Sequence, residues 1–287
     1  WPGGWQRSPV PESEDLFIMK KTNATMLALA AGMALTGVQA AEWGNWRGPN
    51  HNGSTDEKDL PVKFSKTQGV LWSAPMPGPS AATPVVFGDH VFVSSSSPGE
   101  QQLLASAYDR KTGALNGETF NERFSEALTV ASRASETLLL AIFDLDDFKG
   151  VNSAHGHAAG DAVLRTFARG AAGSIRREDA FGRIGGDEFA VLLRVHPADA
   201  GEMFARTLHS RVSAVLAAGE HPVTCSMGAL VIPPHVPRDP AALMHAADQA
   251  MFVAKRAGKN ACEITWAGQP QRGGRKRARG TLREQPA

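Results

Sequence analysis

The apolar residues of this 287-residue chain recur with regular spacing mainly in its C-terminal half. Residues 138–145 form a nearly continuous apolar run, which is typical of a strand buried on both faces. Apolar residues at helical spacing predict helices over 118–134, 158–172, 240–257 and from Pro197 to about 217. Further strand-like runs cover 180–184, 188–195, 223–232 and 261–266. This order predicts an α/β (α+β) fold in which helices cover a mostly antiparallel sheet.

Residues 41–106 have a different pattern, in which short β-branched and aromatic runs alternate with Gly, Pro and Ser. The runs predict short strands at 70–72, 82–86 and 90–94. With its tryptophans at 43, 46 and 72, the segment resembles the opening blade of a pyrroloquinoline-quinone-type β-propeller. One blade cannot bury both faces of its sheet, and the sequence shows no further repeat at that period. We therefore expect a short, β-rich and poorly ordered fragment, fused to the rest of the chain near residue 107.

The two ends of the chain have compositions unlike that of an ordinary fold. Lys20 and Lys21 precede an apolar run over 26–38 and a small-x-small triplet, so residues 19–40 resemble a Sec signal peptide. A buried helix and an uncleaved membrane anchor are the alternatives for this run. Residues 1–18 precede the charged segment and stay unassigned, and residues 267–287 predict a basic, disordered tail.

The overall charge and the cysteine content restrict the function only slightly. Thirty Lys and Arg balance 29 Asp and Glu, so the net charge of +1 does not favour a nucleic acid polymer as partner. The two cysteines, Cys225 and Cys262, lie in apolar strand-like runs and are interpreted as small buried hydrophobic residues.

Two acidic motifs carry the candidate chemistry. Asp144 and Asp146 close the apolar strand, while Asp187 and Glu188 follow a pair of glycines that predicts a tight hairpin turn. Carboxylates that share one site are oxygen ligands for Mg²⁺, and Mg²⁺ completes its coordination with substrate phosphates. Each motif taken alone is an ordinary solvated strand end or an ordinary turn, and sequence alone does not show that the two meet.

The segment from Arg183 to Phe189 matches the signature of the GGDEF family of diguanylate cyclases. Five further blocks agree in order and spacing with that family, and they are 109–116, 143–152, 156–161, 223–228 and 248–260. The resemblance covers residues 107–266 and implies a nucleotidyl-cyclase-like sheet covered by helices. It also implies the condensation of two GTP molecules into cyclic di-GMP and two pyrophosphates, in a homodimer that holds one GTP in each domain.

The resemblance assigns roles at the metal centre. It implies that Mg²⁺, or Mn²⁺, is held by the carboxylates of Asp144 and Asp187 and by the backbone carbonyl of Leu145. Asp187 is the expected base for the 3′-hydroxyl proton, and Glu188 is expected to assist at the metal or the hydroxyl.

The resemblance also assigns the groups that bind GTP. Asn152 and Asp161 match the pair that reads guanine, because an amide and a carboxylate together complement its O6 acceptor and its N1 and N2 donors. The phosphates are expected to contact backbone N–H groups around Asp147 and Phe148 and the side chains of two lysines, Lys255 and Lys259.

Two of these positions depart from the family pattern. The position of Asp147 is often aromatic, and that of Lys259 is usually arginine. Lysine keeps the charge but loses the bidentate fork of arginine, which predicts weaker GTP binding. The alternative for Lys255 and Lys259 is an exposed basic helix end that complements the helix dipole.

Arg176 and Asp179 match the inhibitory product site of the family. An arginine can stack on guanine and bond its O6 and N7 edge, and an aspartate can accept from the ring N–H. The resemblance therefore predicts feedback inhibition by cyclic di-GMP. Without the resemblance, residues 176–179 would be interpreted as a charged turn.

Two other functions remain open at this stage. One is a catalytically degenerate GGDEF domain that binds GTP or cyclic di-GMP without turnover, and the other is a truncated secreted propeller protein with a foreign tail. A Sec signal would export the domain away from its GTP, so the two motifs conflict. We expect a cytoplasmic cyclase domain, with inner-membrane association as the alternative.

Overall fold

The fold is built on a mixed sheet of nine strands, seen in a computed structural model that describes residues 43–56, 63, 65, 68–97 and 102–268. The strands are β1 (Val85–Phe87), β2 (His90–Ser96), β3 (Leu103–Asp109), β4 (Leu115–Asn116), β5 (Thr137–Leu145), β6 (Ala180–Arg183), β7 (Glu188–Val195), β8 (Cys225–Ile232) and β9 (Cys262–Trp266). Their order across the sheet is β1-β2-β3-β4-β6-β7-β5-β8-β9. Neighbours are antiparallel except β4 with β6 and β8 with β9. The predicted mostly antiparallel sheet is thus confirmed.

The helices of the described residues are α1 (Gly117–Ala134), α2 (Phe148–His155), α3 (His157–Ala172), α4 (Gly201–Ala217) and α5 (Pro240–Arg256). A one-turn 3-10 helix, Ala198–Ala200, precedes α4. Side chains cap the N-termini of α1 and α5. Asn116 accepts a hydrogen bond from the backbone of Thr119, and Asp239 accepts from the backbones of Ala241 and Ala242. Four of the five helices were predicted from the sequence to within a few residues.

β5 lies between β7 and β8 and is buried along its whole length. Its residues alternate between two cores: Leu139, Ala141 and Phe143 pack in one cluster with residues of α3 and α4. Leu138, Leu140 and Ile142 pack in the other, with residues of α1 and α5. Helices therefore cover both faces of β5, which explains why its apolar residues are continuous instead of alternating.

Helix α2 was not predicted. It has no fully buried residue, and only Phe148 and Val151 pack against the core, so it lacks the apolar stripe that identifies a helix in sequence. Its first turn forms because the chain reverses at Asp147, which has a left-handed backbone conformation with φ of 57°. Gly156, with φ of 82°, then separates α2 from α3.

The N-terminal strands extend the same sheet. β2 and β3 pair along seven residues each, and β3 continues through β4 to the C-terminal strands. The predicted strands near 85 and 90 are present, whereas residues 70–72 are not a strand. Trp72 instead packs beside Tyr108 and donates a hydrogen bond to the carbonyl of Arg110. β3 therefore runs without a break through the fusion point that was expected near residue 107. The strands of this segment are paired, although the sequence predicted poor order for it.

Several predictions fall outside this description. Residues 1–18, the signal-peptide-like segment 19–40 and the tail after residue 268 lie outside the described residues. No helix in the described part of the chain combines the length and apolar character needed to span a bilayer.

Candidate functional site

The two acidic motifs meet at one end of the central strands. Asp144 and Glu188 are directly opposite each other in the β5–β7 ladder. The backbone N–H of Leu145 donates to the carbonyl of Asp187 at 3.2 Å, so the end of β5 is attached to the hairpin. Asp144 is buried while Asp187 and Glu188 are half-buried. The structure therefore brings together the carboxylates that the sequence left on separate segments.

Arg183 holds the hairpin in shape. Its Nε and Nη2 donate to the carbonyl of Gly186 at 3.2 and 2.5 Å, and its Nη1 pairs with Asp109 at 2.9 Å. The backbone N–H of Gly185 donates to the carbonyl of Glu188. A Cβ on Gly185 would lie 2.5 Å from Glu188 Oε2, so glycine leaves space for this carboxylate. Asp109, to which the sequence analysis gave no role, thus supports the acidic turn from the end of β3, two strands away from β6.

Burial disfavours the charged forms of two of these carboxylates. Burial raises the pKa of Asp144, and this effect is opposed by Lys255, whose Nζ lies 2.5 Å from Asp144 Oδ2. Burial, followed by repulsion from Asp144, Asp187 and Asp248, raises the pKa of Glu188. A divalent cation would relieve this repulsion.

Replacing Glu188 by glutamine is expected to stabilise the protein at neutral pH. Because the folded-state pKa of Glu188 lies above its ordinary value of 4.5, the favourable contribution is fully present below pH 4.5 and is lost as the pH rises through the folded-state pKa. The ionised carboxylate therefore costs stability at pH 7, and E188Q should raise the midpoint of thermal unfolding there by roughly 1–2 °C. Scanning calorimetry at pH 7 and pH 4 checks this, since the gain should vanish at pH 4; a lower midpoint at pH 7 contradicts it.

The donor set fits a magnesium-type cation bound together with a substrate. No group of three or more His, Cys, Asp or Glu side chains in the described residues could hold a metal alone. Two carboxylates, Asp144 and Asp187, and the Leu145 carbonyl are all hard oxygen donors, and Mg²⁺ needs only one or two carboxylates when phosphates supply other ligands. The residues present therefore fit Mg²⁺ or Mn²⁺ that arrives with a nucleotide.

Asp146 has a structural position that the sequence analysis did not recognise. Its buried carboxylate accepts hydrogen bonds from Thr224 Oγ1 at 2.6 Å, Ser226 Oγ at 2.8 Å and the backbone N–H of Asn260 at 2.9 Å. These donors lie before β8, in β8 and before β9. Asp146 therefore ties the end of β5 to the loop that carries Lys259. Its partners are about 80 to 115 residues away in sequence, so no local pattern identifies them.

Two of the residues predicted to bind phosphate, Asp147 and Phe148, lie at the start of α2. Asp147 precedes this helix and makes no capping hydrogen bond with its side chain, which is 86% exposed. The Asp147 carboxylate instead lies 3.2 Å from Lys259 Nζ. The two departures from the family pattern thus pair with each other, and the role of this helix start in binding phosphate stays a prediction.

The predicted guanine pair is assembled by the turn between α2 and α3. Asn152 lies on α2, and its amide packs so closely over Gly160 that a Cβ there would overlap with it. Asp161 follows directly on α3. Asn152 therefore packs against the residue that precedes Asp161, and the role of the two side chains in reading guanine stays a prediction. Asp161 also pairs with Lys111, at 3.0 Å.

The predicted product site is a closed turn after α3. The backbone N–H of Arg176 donates to Asp179 Oδ2 at 2.8 Å, and the N–H of Asp179 donates to the Arg176 carbonyl at 3.2 Å. Burial raises the pKa of Asp179, and hydrogen bonds from the backbones of Arg176 and Arg194 oppose this effect. The Arg176 side chain is exposed and accessible to a ligand.

The two cysteines are free thiols; Cys225 is buried, as predicted, whereas Cys262 is only partly buried. Burial raises the pKa of Cys225 to about 12 and that of Cys262 to about 11, so neither is a reactive thiolate.

Comparison with known proteins places residues 106–261 in one family. They match the family model described as "Diguanylate cyclase, GGDEF domain". The chain is 36% identical over 168 residues to the diguanylate cyclase TpbB of Pseudomonas aeruginosa, which covers 57% of this chain and 38% of that protein. It is 29% identical to the diguanylate cyclase DgcS of Shewanella oneidensis, over 58% of this chain and 55% of that protein. The chain thus spans about two fifths of the first relative and about half of the second. The matched region supports neither the propeller nor the signal-peptide resemblance, which lie before it.

Two solved structures resemble the same region. The GGDEF domain of TpbB (YfiN) from P. aeruginosa is 34% identical, with a TM-score of 0.50 over 55% of this chain and 93% of that chain. The coiled coil and GGDEF domain of DgcB from Caulobacter crescentus, solved in complex with c-di-GMP, is 26% identical, with a TM-score of 0.50 over 55% and 85%.

Proposed function

Because the chain belongs to the family of GGDEF diguanylate cyclase domains, we propose that it condenses two GTP molecules into cyclic di-GMP and two pyrophosphates. The observation that carries this proposal is the junction of the two acidic motifs, in which Asp144 and Glu188 are cross-strand neighbours and Leu145 is bonded to Asp187. A basic side chain, Lys255, and a helix start at Phe148 lie beside this junction. A site for a nucleoside triphosphate requires carboxylates, a positively charged side chain and free N–H groups at a helix start.

In each half-reaction the 3′-hydroxyl oxygen of one GTP bonds to the α-phosphorus of the other. The bond from that phosphorus to the β-bridging oxygen breaks, and pyrophosphate leaves. Asp187 takes the hydroxyl proton, and Glu188 holds the hydroxyl near it. Asp144, Asp187 and the Leu145 carbonyl would hold Mg²⁺ or Mn²⁺, which would neutralise negative charge and lower the pKa of the hydroxyl.

The protein's main contribution is to orient the reactants. Asn152 and Asp161 bind the guanine, and Lys255, Lys259 and the N–H groups near Asp147 and Phe148 bind the phosphates. One domain holds one GTP, so the reaction requires a homodimer with two sites face to face. GTP as substrate favours a cytoplasmic domain.

Feedback inhibition belongs to the same proposal. The exposed Arg176 guanidinium can stack on a guanine of cyclic di-GMP and bond its O6 and N7 edge, while Asp179 accepts from the ring N–H. The related DgcB structure contains c-di-GMP, which supports a product site in this family.

A nucleotide-binding domain without turnover is the second candidate. The Asp147–Lys259 pair favours it, because the aspartate neutralises one of the two lysines expected to bind phosphate. Turnover separates the two candidates.

The deciding experiment incubates the purified full chain with GTP and Mg²⁺ at high protein concentration and measures cyclic di-GMP and pyrophosphate. Formation of both in a 1:2 ratio, with a rate that rises faster than linearly with protein concentration, is expected for a dimeric cyclase. A folded protein that binds GTP and forms no product would contradict turnover and leave the second candidate. Added cyclic di-GMP should slow the reaction, and an Arg176→Ala variant should resist this inhibition.

A further inference from the structure

The carboxylate expected to read guanine is paired with a lysine from a distant turn. Lys111 Nζ lies 3.0 Å from Asp161 Oδ1, and the two side chains are 38% and 30% exposed. Lys111 is the one basic side chain that forms a salt bridge with Asp161 among the described residues. A surface ion pair of this kind contributes little to stability, so its position at the base site needs another explanation.

The turn that carries Lys111 is rigidly attached to the acidic hairpin. Thr112 donates to Asp109 Oδ1 through its backbone N–H at 2.9 Å and its hydroxyl at 2.6 Å. The other oxygen of Asp109 pairs with Arg183, which in turn bonds to the carbonyl of Gly186. The ammonium of Lys111 is therefore presented to Asp161 by the same network that shapes the catalytic turn.

The acceptor and the donor of this pair complement the donor and the acceptor on the edge of guanine. On guanine the N1–H donor lies next to the O6 acceptor, so a carboxylate that accepts from N1–H places its paired ammonium beside O6. The Lys111–Asp161 contact uses one carboxylate oxygen, which leaves the other for the base, and an ammonium has three donors. Adenine has the opposite polarity, since its N1 is an acceptor and its N6 a donor.

We propose that Lys111 is a specificity-determining residue that donates to guanine O6 while it holds Asp161, and so favours GTP over ATP. This inference rests on the proposed GTP site and adds a third base-reading side chain to Asn152 and Asp161. The positive charge also opposes the binding of adenine, whose N6 amino group would face the ammonium.

The test measures nucleotide binding to the full chain by calorimetry, for wild type and Lys111→Met, with GTP, ATP and 6-thio-GTP. The variant should bind GTP about tenfold more weakly, as expected for loss of one hydrogen bond to a charged group. Its loss for 6-thio-GTP should be smaller, because sulfur at position 6 is a weaker acceptor, and its affinity for ATP should not fall. Lys111→Arg should restore part of the preference for GTP.

Arg110→Met is the matched control, since it removes a positive charge from the same turn and should leave GTP binding unchanged. Equal losses for GTP and 6-thio-GTP would overturn the base contact, as would unchanged GTP affinity in K111M. Thermal unfolding shows that each variant is folded. Turnover of GTP by the wild type is measured in parallel. If the wild type is active and K111M binds GTP with unchanged affinity, only this inference is overturned. If the wild type binds GTP selectively but forms no product, only the proposed function is overturned.

Discussion

Replacing Asp187 by asparagine is expected to lower the rate of cyclic di-GMP formation by at least about a thousandfold, because it removes a side chain proposed to be both metal ligand and base. The side chain keeps its size, and the backbone hydrogen bond from Leu145 to the Asp187 carbonyl does not involve the replaced atoms. The fold and the guanine contacts should therefore survive. The measurement is product formation from GTP under saturating Mg²⁺, with GTP affinity determined by calorimetry.

Asp199→Asn is the matched control for D187N. Asp199 is an exposed aspartate in the one-turn helix before α4, so its loss changes the net charge equally without touching the acidic junction. It should retain the wild-type rate. A D187N rate within tenfold of wild type would contradict the assignment of Asp187 as ligand and base.

The largest effect on stability is expected for Asp146→Ala. This change removes the acceptor of three hydrogen bonds, one from the buried hydroxyl of Ser226 and two part-buried ones from Thr224 and the backbone N–H of Asn260. The free energy of unfolding should fall by about 3 kcal/mol, because a buried hydroxyl is left unsatisfied and three hydrogen bonds to a carboxylate are lost. The thermal midpoint should fall by roughly 6–12 °C.

Asp147→Ala provides a comparison one residue away. The Asp147 side chain is 86% exposed and pairs only at the surface with Lys259. The same chemical change should lower the thermal midpoint by roughly 4 °C or less, most of it the cost of alanine at the left-handed backbone of this residue. Removal of its charge should also free Lys259 and tighten GTP binding. Similar destabilisation by D146A and D147A would contradict the structural role of Asp146.

The elements that the sequence predicted best are those with a strong local signal. β5 was predicted because both of its faces are buried, which produces an uninterrupted apolar run. Helices α1, α3, α4 and α5 were predicted because each covers the sheet with an apolar stripe. Helix α2 was missed because only two of its residues pack against the core. The N-terminal strands were assigned to a separate fragment because they join the rest of the sheet through β4, whose partner β6 is far away in sequence.

The sequence by itself determined the chemical inventory of this protein. It contains acidic residues at a strand end and on a hairpin, an amide and a carboxylate 8 and 17 residues after Asp144, and two lysines near the last helix. These identities follow from motifs whose spacing is local. Only the tertiary structure decided which groups meet, because the contacts join segments far apart in sequence. It placed Asp144 opposite Glu188, separated the buried, structural Asp146 from the exposed Asp147, and brought Lys111 to Asp161. Hydrogen bonds and ion pairs of this kind depend on strand register and helix packing, which a linear pattern does not specify.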